Sequence, residues 1–192
     1  MEGEEMFREF LVQSLSAHTT GDFTSLLEAG RLDVVYQCIL TSIFKSRSHR
    51  HDVVFHAILN GPPRPPMHLS ISGDELRDAR VDERSWENIL RNVLNGRSHE
   101  GVNLTKSSLQ GVIKEKSTEG YSIFLLDMEG EPFDPGDLSE NNFFVLGDHI
   151  GIPRKDSKFV LRYGKRVSLG KEEYLAATTI DIVNYLIDRR PD

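Results

Sequence analysis

Two short segments carry residue types and spacings that could do chemistry, and the first is residues 147–151, Gly-Asp-His-Ile-Gly. It places a carboxylate and an imidazole between two glycines, directly after the apolar run 143–146. A loop of this kind at the end of a buried strand lets a ligand approach bare backbone. Asp148 and His149 could act as a catalytic or metal-binding pair. Side chains that cap neighbouring backbone amides explain them more simply.

The second segment is residues 30–33, Gly-Arg-Leu-Asp, at the start of an apolar pattern with helical spacing. An aspartate in the first turn of a helix interacts favourably with the helix dipole, which alone accounts for Asp33. The alternative is an Arg31–Asp33 pair at the helix N-terminus, placed to hold an anion or to accept a proton. The sequence leaves both interpretations open.

The other reactive side chains point to structural roles. Cys38 neighbours the apolar face of the helix that begins near Leu32, so we predict a core thiol rather than a nucleophile. His49, His51 and His56 have no second cluster of Cys or His, which argues against a metal site. The chain contains no dinucleotide fingerprint after a strand, no P-loop and no G-x-S-x-G nucleophile elbow, which argues against those enzyme classes.

The elements that must position these residues alternate between strand and helix. This order predicts an α/β fold with a mostly parallel sheet and helices on both faces. The polar, acidic segment 128–142 is predicted to be a loop, and the proline-rich segment 60–66 an exposed turn. Strands are predicted at 7–13, 52–59, 67–72, 121–127, 143–147 and 166–169. Helices are predicted at 32–44, 107–117, 156–163 and 172–188. A further helix is predicted to begin at Asp82 or Ser85 and to end at residue 94.

Two glycine-bearing loops resemble the one at 147–151. The strand predicted at 121–127 runs into Gly130, and the strand predicted at 166–169 runs into Gly170. Three such strand-end loops in the C-terminal half predict one small-molecule site built largely from backbone amides.

Size and composition predict one soluble globular domain covering residues 1–192, without a membrane span. The acidic start, Met-Glu-Gly-Glu-Glu, is unlike a secretory signal, and a single cysteine is typical of a cytoplasmic protein. The net charge is −7, yet residues 45–51 carry +3 and residues 154–166 carry +5, which leaves −15 for the rest. An acidic body with two basic stretches could bind an anionic partner, although such clusters are also common on solvated surfaces.

Taken together, the motifs resemble those of the archaeal tRNA pseudouridine-54 N1-methyltransferases, members of the trefoil-knotted SPOUT methyltransferases. Residues 30–34 look like the family's N-terminal signature, and 51–55 and 82–84 like its second strand and central helix. Residues 147–152 match its cofactor loop. Residues 167–178 and 184–188 match its C-terminal signature. The resemblance covers about residues 7 to 190.

The resemblance implies S-adenosylmethionine as cofactor, bound by three loops of a C-terminal trefoil knot within about residues 120–190, with no metal and with a homodimer as the working form. The three loops correspond to the strand-end loops described above. The cofactor contacts that it implies are Leu126, Gly130, Leu146, Gly147, Asp148, His149, Gly151, Ser168, Leu169 and Thr179. Thr179 stands where the family often has Cys, so the resemblance is incomplete at that position.

The reaction that the resemblance implies is N1-methylation of pseudouridine 54 in the T-loop of tRNA. N1 must lose a proton, so we predict Asp33 as general base and Arg31 as the group that holds a phosphate or a uracil carbonyl. No thiol nucleophile is required. The predicted contacts to the tRNA backbone are Arg47, Arg50, Arg154 and Lys155.

Three alternatives stay open. The chain could methylate pseudouridine in ribosomal RNA, as a related SPOUT family does. It could be a module that binds RNA or the cofactor without turnover, an option that Thr179 keeps open. It could also be a metal-dependent hydrolase that uses Asp148 and His149, in which case the purified protein would contain metal.

Overall fold

The computed structural model describes residues 6–190, so the prediction for the acidic first five residues lies outside the described part. A seven-stranded sheet organises the chain, with strand order β6-β5-β4-β1-β8-β7-β9. Along the chain the elements are β1 Phe7–Ser14, α1 Leu32–Ile43, β2 Phe44–Lys45, β3 Ser48–His49, β4 Val53–Leu59, β5 Met67–Ser72, α2 Glu83–Leu94, β6 Val102–Thr105, α3 Leu109–Thr118, β7 Ser122–Pro132, a 3-10 turn Pro135–Asp137, β8 Asn141–Gly147, α4 Arg154–Val160, β9 Lys165–Ser168 and α5 Ala176–Asp188.

The predicted α/β class is confirmed. The pairs β1–β4, β1–β8, β7–β8 and β7–β9 are parallel, whereas β5 near one edge pairs antiparallel with both β4 and β6. Alternation along β1 explains why both faces are covered: Phe10 and Val12 join the core beneath α1, α2 and α5, while Leu11 joins the core beneath α3 and α4. Helices therefore pack on both faces.

Most element boundaries agree with the sequence prediction. Asp82, rather than Ser85, caps α2, because its Oδ1 accepts a hydrogen bond from the Ser85 amide at 2.9 Å. The segment 60–66 forms the predicted exposed turn. The sequence predicts that the last helix begins at residue 172. In the structure it begins at Ala176, and residues 172–175 are not helical.

The prediction of a loop over 128–142 is wrong in its first part, because β7 continues to Pro132. After an irregularity, Glu131 and Pro132 pair with Val167 and Ser168 of β9. Gly130 lies in this irregular part of β7. A Cβ atom there would stand 2.6 Å from the Val167 backbone, so the position requires glycine for close packing between two strands.

An ion-pair network ties the end of α5 to the amino ends of the central strands. Buried Arg8 contacts Asp52 at 2.6 Å and Asp188 at 2.9 Å, and Arg50 contacts Asp188 at 2.5 Å. Arg50, which the sequence predicts as an RNA contact, is part of this network. Its side chain is 12% exposed and its charge is neutralised by Asp188, so it does not present a free cation to a tRNA.

No described helix is long and apolar enough to cross a membrane.

Candidate functional site

A cavity of about 710 Å³ lies at the carboxyl ends of β8 and β9 and beside the middle of β7, where the pairing of β7 with β8 stops. This is the edge at which open parallel sheets bind ligands, and the volume falls within the usual range for small-molecule sites. Its other walls come from the first turns of α1 and α5. The residues that line it are Arg31, Val34, Gln37, Leu125, Leu126, Asp127, Met128, Leu146, Gly147, Asp148, His149, Gly151, Ile152, Ser157, Ser168, Leu169, Glu172, Glu173, Tyr174, Leu175, Ala176, Ala177 and Thr179.

Nine of the ten predicted cofactor-contact residues line this cavity, and Gly130 does not. Their convergence follows from the parallel sheet, because strands of one direction end at one edge. Gly130 instead packs against β9, as described above. Thr179 reaches the cavity from the first turn of α5.

The loop at 147–151 is folded tightly on itself. A Cβ atom at Gly147 would lie 2.5 Å from the carbonyl carbon of Gly151, and Gly151 itself has a φ of +84°. The Gly151 amide donates to the Asp148 carbonyl at 3.0 Å, and the Ile150 amide donates to Asp148 Oδ1 at 2.9 Å. The predicted capping role of Asp148 is therefore confirmed.

The second carboxylate oxygen of Asp148 has no hydrogen-bond partner within residues 6–190, although the side chain is fully buried. Nδ1 of His149 lies 3.6 Å from it, beyond hydrogen-bond distance. Residues 6–190 contain no group of three or more His, Cys, Asp or Glu side chains that could hold a metal ion.

Arg31 and Asp33 form the pair anticipated from the sequence. Nε and one terminal nitrogen of Arg31 donate to the two carboxylate oxygens of Asp33 at 2.9 and 3.0 Å. Arg31 has left-handed backbone angles (φ 68°, ψ 39°), which are uncommon for a residue with a side chain and often mark functional sites. Arg31 lines the cavity, and Asp33 lies behind it with 17% of its side chain exposed.

Two helix N-termini contribute positive potential to the cavity. Among residues 6–190, no side chain caps the first amides of α1, which follows Arg31, or of α5, which follows Leu175. Uncapped amides at a helix N-terminus can bind an anionic group of a ligand.

On the same helix α1, Cys38 is fully buried and burial raises the pKa of its thiol, which confirms a core residue.

The predicted RNA contacts fall in two places that the structure does not bring together. Arg154 and Lys155 are exposed at the start of α4, two residues after the cavity-lining Ile152. Arg47 is exposed in the β2–β3 hairpin at the other end of α1. A 12-residue helix is about 18 Å long, so this hairpin lies well away from the cavity.

Several cavity residues escaped the sequence prediction. Gln37 lies one turn after Asp33 on α1, a position that helical spacing alone could have identified. Asp127, Glu172 and Glu173 add carboxylates to the cavity lining, and Tyr174 directly follows Glu173 in the chain. Their segments adjoin the predicted loops, but nothing in the local sequence separates them from ordinary surface residues.

Comparison with known proteins agrees with this arrangement. Residues 7–191 match a family model described as "Putative SAM-dependent RNA methyltransferase". The tRNA (pseudouridine(54)-N(1))-methyltransferase of Methanocella arvoryzae is 34% identical over 95% of this chain and 100% of its own length. Its namesake in Methanocaldococcus jannaschii is 31% identical, over 95% of this chain and 97% of its own.

Solved structures share the fold at low sequence identity. Archaeoglobus fulgidus Nep1, crystallised with S-adenosylhomocysteine, superposes with a TM-score of 0.71 at 14% identity, over 96% of this chain and 97% of its own. Ribosomal RNA small subunit methyltransferase E of Neisseria gonorrhoeae, bound to S-adenosylmethionine, gives 0.52 at 13% identity, over 95% and 65%. Since the family model spans nearly the whole sequence, the chain belongs to this family of SAM-dependent RNA methyltransferases.

Proposed function

We propose that this protein transfers the methyl group of S-adenosylmethionine to N1 of pseudouridine 54 in the T-loop of tRNA. The observation that carries the proposal is the cavity that three neighbouring parallel strands line, in a chain whose relatives bear that activity in their names. The cavity fits the cofactor. It is large enough, a glycine loop exposes backbone, and uncapped helix amides can receive a carboxylate.

The cofactor, when bound, supplies a methyl group on a sulfonium, and the protein must align it with the acceptor. Alignment alone contributes up to about 7–11 kcal/mol in favourable intramolecular cases. The loop 147–151 and the apolar walls Leu126, Leu146 and Leu169 would hold the adenosine part. Ser168 would act mainly through backbone, because its hydroxyl already donates to the Gly170 carbonyl at 2.7 Å.

The proton on N1 of pseudouridine needs an acceptor, and Asp33 is our candidate. In the structure both its oxygens accept hydrogen bonds from Arg31. A phosphate or uracil carbonyl that draws Arg31 into the cavity would free the carboxylate to take the proton. The Arg31–Asp33 pair would thus couple RNA binding to base activation.

The test of this function is methyl transfer from labelled S-adenosylmethionine to two tRNAs, one with pseudouridine and one with uridine in the T-loop. We expect label only on the first, with N1-methylpseudouridine identified by nucleoside mass spectrometry. Label on ribosomal RNA instead would indicate the related rRNA activity. Cofactor binding without transfer to any RNA would indicate a binding module.

Gly147→Ala should weaken binding of S-adenosylmethionine. The new Cβ would lie 2.5 Å from Gly151 backbone, and backbone strain of about 1–3 kcal/mol corresponds to about 5- to 150-fold in affinity. Isothermal titration calorimetry measures this change, and thermal melting checks that the fold is kept. Gly136→Ala is the control, because its Cβ would meet only the Asp134 side chain at 3.2 Å. Equal affinities for both variants would contradict a role for this loop.

We propose that the tRNA backbone follows Arg154 and Lys155 beside the cavity. Arg47, in the hairpin at the far end of α1, should contribute less to tRNA binding. Arg50 is left out, because reversing its charge would disrupt its pair with Asp188. The Arg154→Glu/Lys155→Glu double variant should bind tRNA more weakly and flatten the salt dependence of log K by about 2, one unit for each lost phosphate contact.

Filter binding between low and high salt measures this slope, and Arg47→Glu is the matched charge reversal at the far end of α1. It should change affinity and slope less than the double variant. If Arg47→Glu has the larger effect, the RNA track runs over the hairpin and not beside the cavity.

We further propose that residues 1–192 form one SPOUT domain, knotted within about residues 120–190, and that it works as a homodimer in the cytoplasm. The superposition on Nep1 supports the fold. Leu175, 73% exposed beside the cavity, is an apolar side chain that a second copy could cover. Light scattering on the purified protein distinguishes a dimer from a monomer.

A further inference from the structure

Among residues 6–190, Tyr174 is the one tyrosine with no hydrogen-bond, aromatic or cationic partner. Within residues 6–190, no hydrogen bond to its hydroxyl and no contact of its ring with another ring or cation is found. Each of the other four tyrosines is engaged: Tyr36 donates to the Val81 carbonyl, Tyr121 donates to Glu9, Tyr163 packs on Phe159 and Tyr185 lies under Arg189. No hydrogen bond, ring pair or cation contact among residues 6–190 therefore accounts for an aromatic ring at position 174.

The place of Tyr174 suggests a ligand instead. Among the described residues that line the cavity, it is the only Phe, Tyr or Trp side chain. It stands at the opening and is 43% exposed, whereas Leu125 and Leu146 in the interior are 1% and 3% exposed. The interior walls are suited to the cofactor, and the ring of Tyr174 remains accessible from outside.

The charge around Tyr174 limits what it can recognise. Glu172 and Glu173, which precede it, are exposed and line the cavity, and with exposed Lys171 before them they leave a local net charge of −1. A phosphate backbone would be repelled here, while the exposed cations Arg154 and Lys155 lie at the start of α4. Stacking on an uncharged base is compatible with neighbouring carboxylates, because it needs only a π-face.

We propose that Tyr174 is a positioning residue that stacks on the target base once that base has left the T-loop. The inference rests on the proposed function, which requires a base in the cavity to meet the methyl group. The ring holds the face of the base, and the Arg31–Asp33 pair acts on its edge. The recognised chemistry is an unpaired pyrimidine in single-stranded RNA.

The test compares Tyr174→Leu with Tyr174→Phe, using a T-arm hairpin that contains pseudouridine at the target position. Stacking on an aromatic side chain contributes about 1–3 kcal/mol for each base, so Tyr174→Leu should raise the KM for the hairpin about 5- to 150-fold. Tyr174→Phe should restore the wild-type KM, because the π-face is kept. The Kd of S-adenosylmethionine should not change in either variant.

A direct contact is tested by photo-crosslinking with 5-iodouridine at the target position, followed by mass spectrometry of the peptide. We expect a crosslink to Tyr174 in the wild type and its loss in Tyr174→Leu. The control is Tyr185→Leu, which removes an exposed tyrosine of α5 that does not line the cavity and should leave the crosslink and the KM unchanged.

Two results would overturn the proposal. Weaker S-adenosylmethionine binding by Tyr174→Leu with an unchanged KM for the hairpin would place the ring on the adenine of the cofactor. An unchanged KM and no crosslink would deny any contact. Failure of the proposed function is separate, because the wild type itself would then transfer no methyl group to the hairpin.

Discussion

Asp33→Asn should slow methyl transfer by about 10²- to 10⁴-fold, the usual contribution of a general base. Asparagine keeps the size of the side chain and one acceptor oxygen but cannot take the proton from N1 of the target. Single-turnover transfer of labelled methyl to pseudouridine-containing tRNA measures the rate of the chemical step. Equilibrium binding of tRNA and of S-adenosylmethionine, measured in parallel, shows whether the loss is in catalysis or in binding.

The Arg31–Asp33 geometry makes the expected pattern more specific. Because Arg31 donates to both oxygens of Asp33, the two residues should respond differently to substitution. Arg31→Lys keeps a charge but loses the two-pronged contact, so it should weaken tRNA binding as well as slow transfer. Asp33→Asn should act mainly on the rate, since Arg31 remains available for the RNA.

Asp22→Asn is the matched control, because it removes an exposed carboxylate that does not line the cavity. Its transfer rate should equal that of the wild type. If Asp33→Asn also keeps the wild-type rate, another group accepts the proton and Asp33 only anchors Arg31. The same conclusion would follow if the rate of methyl transfer by Asp33→Asn still depended steeply on pH.

The sequence was most informative where structure depends on neighbouring residues. The run ending at Gly147 predicted both the strand β8 and the loop after it, because a continuous apolar run and a glycine stop are local features. The cavity followed from a second step, since parallel strands bring their carboxyl ends to one edge. Arg31 and Asp33 are two positions apart, so their pairing was also within reach.

The sequence was less informative where a distant partner decides the structure. The extension of β7 through Gly130 depends on pairing with β9, and the polar sequence around it looks like a turn. Arg50 is neutralised by Asp188, 138 residues away, which no local pattern could reveal. The separation of Arg47 from Arg154 depends on which way α1 runs relative to the sheet. Tertiary contacts override local composition at each of these positions.

A buried polar cluster in the sheet was likewise invisible in the sequence. Glu9 on β1 is 5% exposed, and its oxygens contact His56 Nε2 at 2.7 Å, the Tyr121 hydroxyl at 2.6 Å and the Lys116 ammonium at 3.0 Å. His56 in turn lies 2.8 Å from His68. The cluster joins β1, β4, β5 and α3 and lies outside the catalytic cavity, so its effect should be on stability.

Glu9→Gln should lower the free energy of unfolding by about 3–5 kcal/mol, the usual cost of removing one partner of a buried ion pair. The ammonium of Lys116, 13% exposed, would keep its charge without the buried carboxylate that balances it. Urea denaturation measures the loss, provided that the slope of the transition does not change. Glu119→Gln removes the other carboxylate on Lys116, 44% exposed, and should cost at most about 1 kcal/mol.

The same cluster should make the protein less stable in acid. Burial and the charges of His56 and Lys116 lower the pKa of His68 from 6.5 to about 4. The unfolded chain therefore binds a proton that the folded chain does not, and stability falls as the pH drops from 6.5 to 4. Burial alone would raise the pKa of Glu9, but His56 and Lys116 lower it from 4.5 to about 2. Protonation of Glu9 therefore removes further stability as the pH falls from 4.5 to about 2.

Urea midpoints measured from pH 7 to pH 3 separate the two groups. The wild type should lose stability across the whole range, whereas Glu9→Gln should lack the part of that loss that this carboxylate contributes below pH 4.5. His68→Gln should instead flatten the dependence of the urea midpoint on pH above pH 4.5, because it removes the side chain that the unfolded chain protonates in that range. Parallel curves for wild type and Glu9→Gln would show that the cluster does not hold the carboxylate in its charged form, and they would contradict the lowered pKa of Glu9.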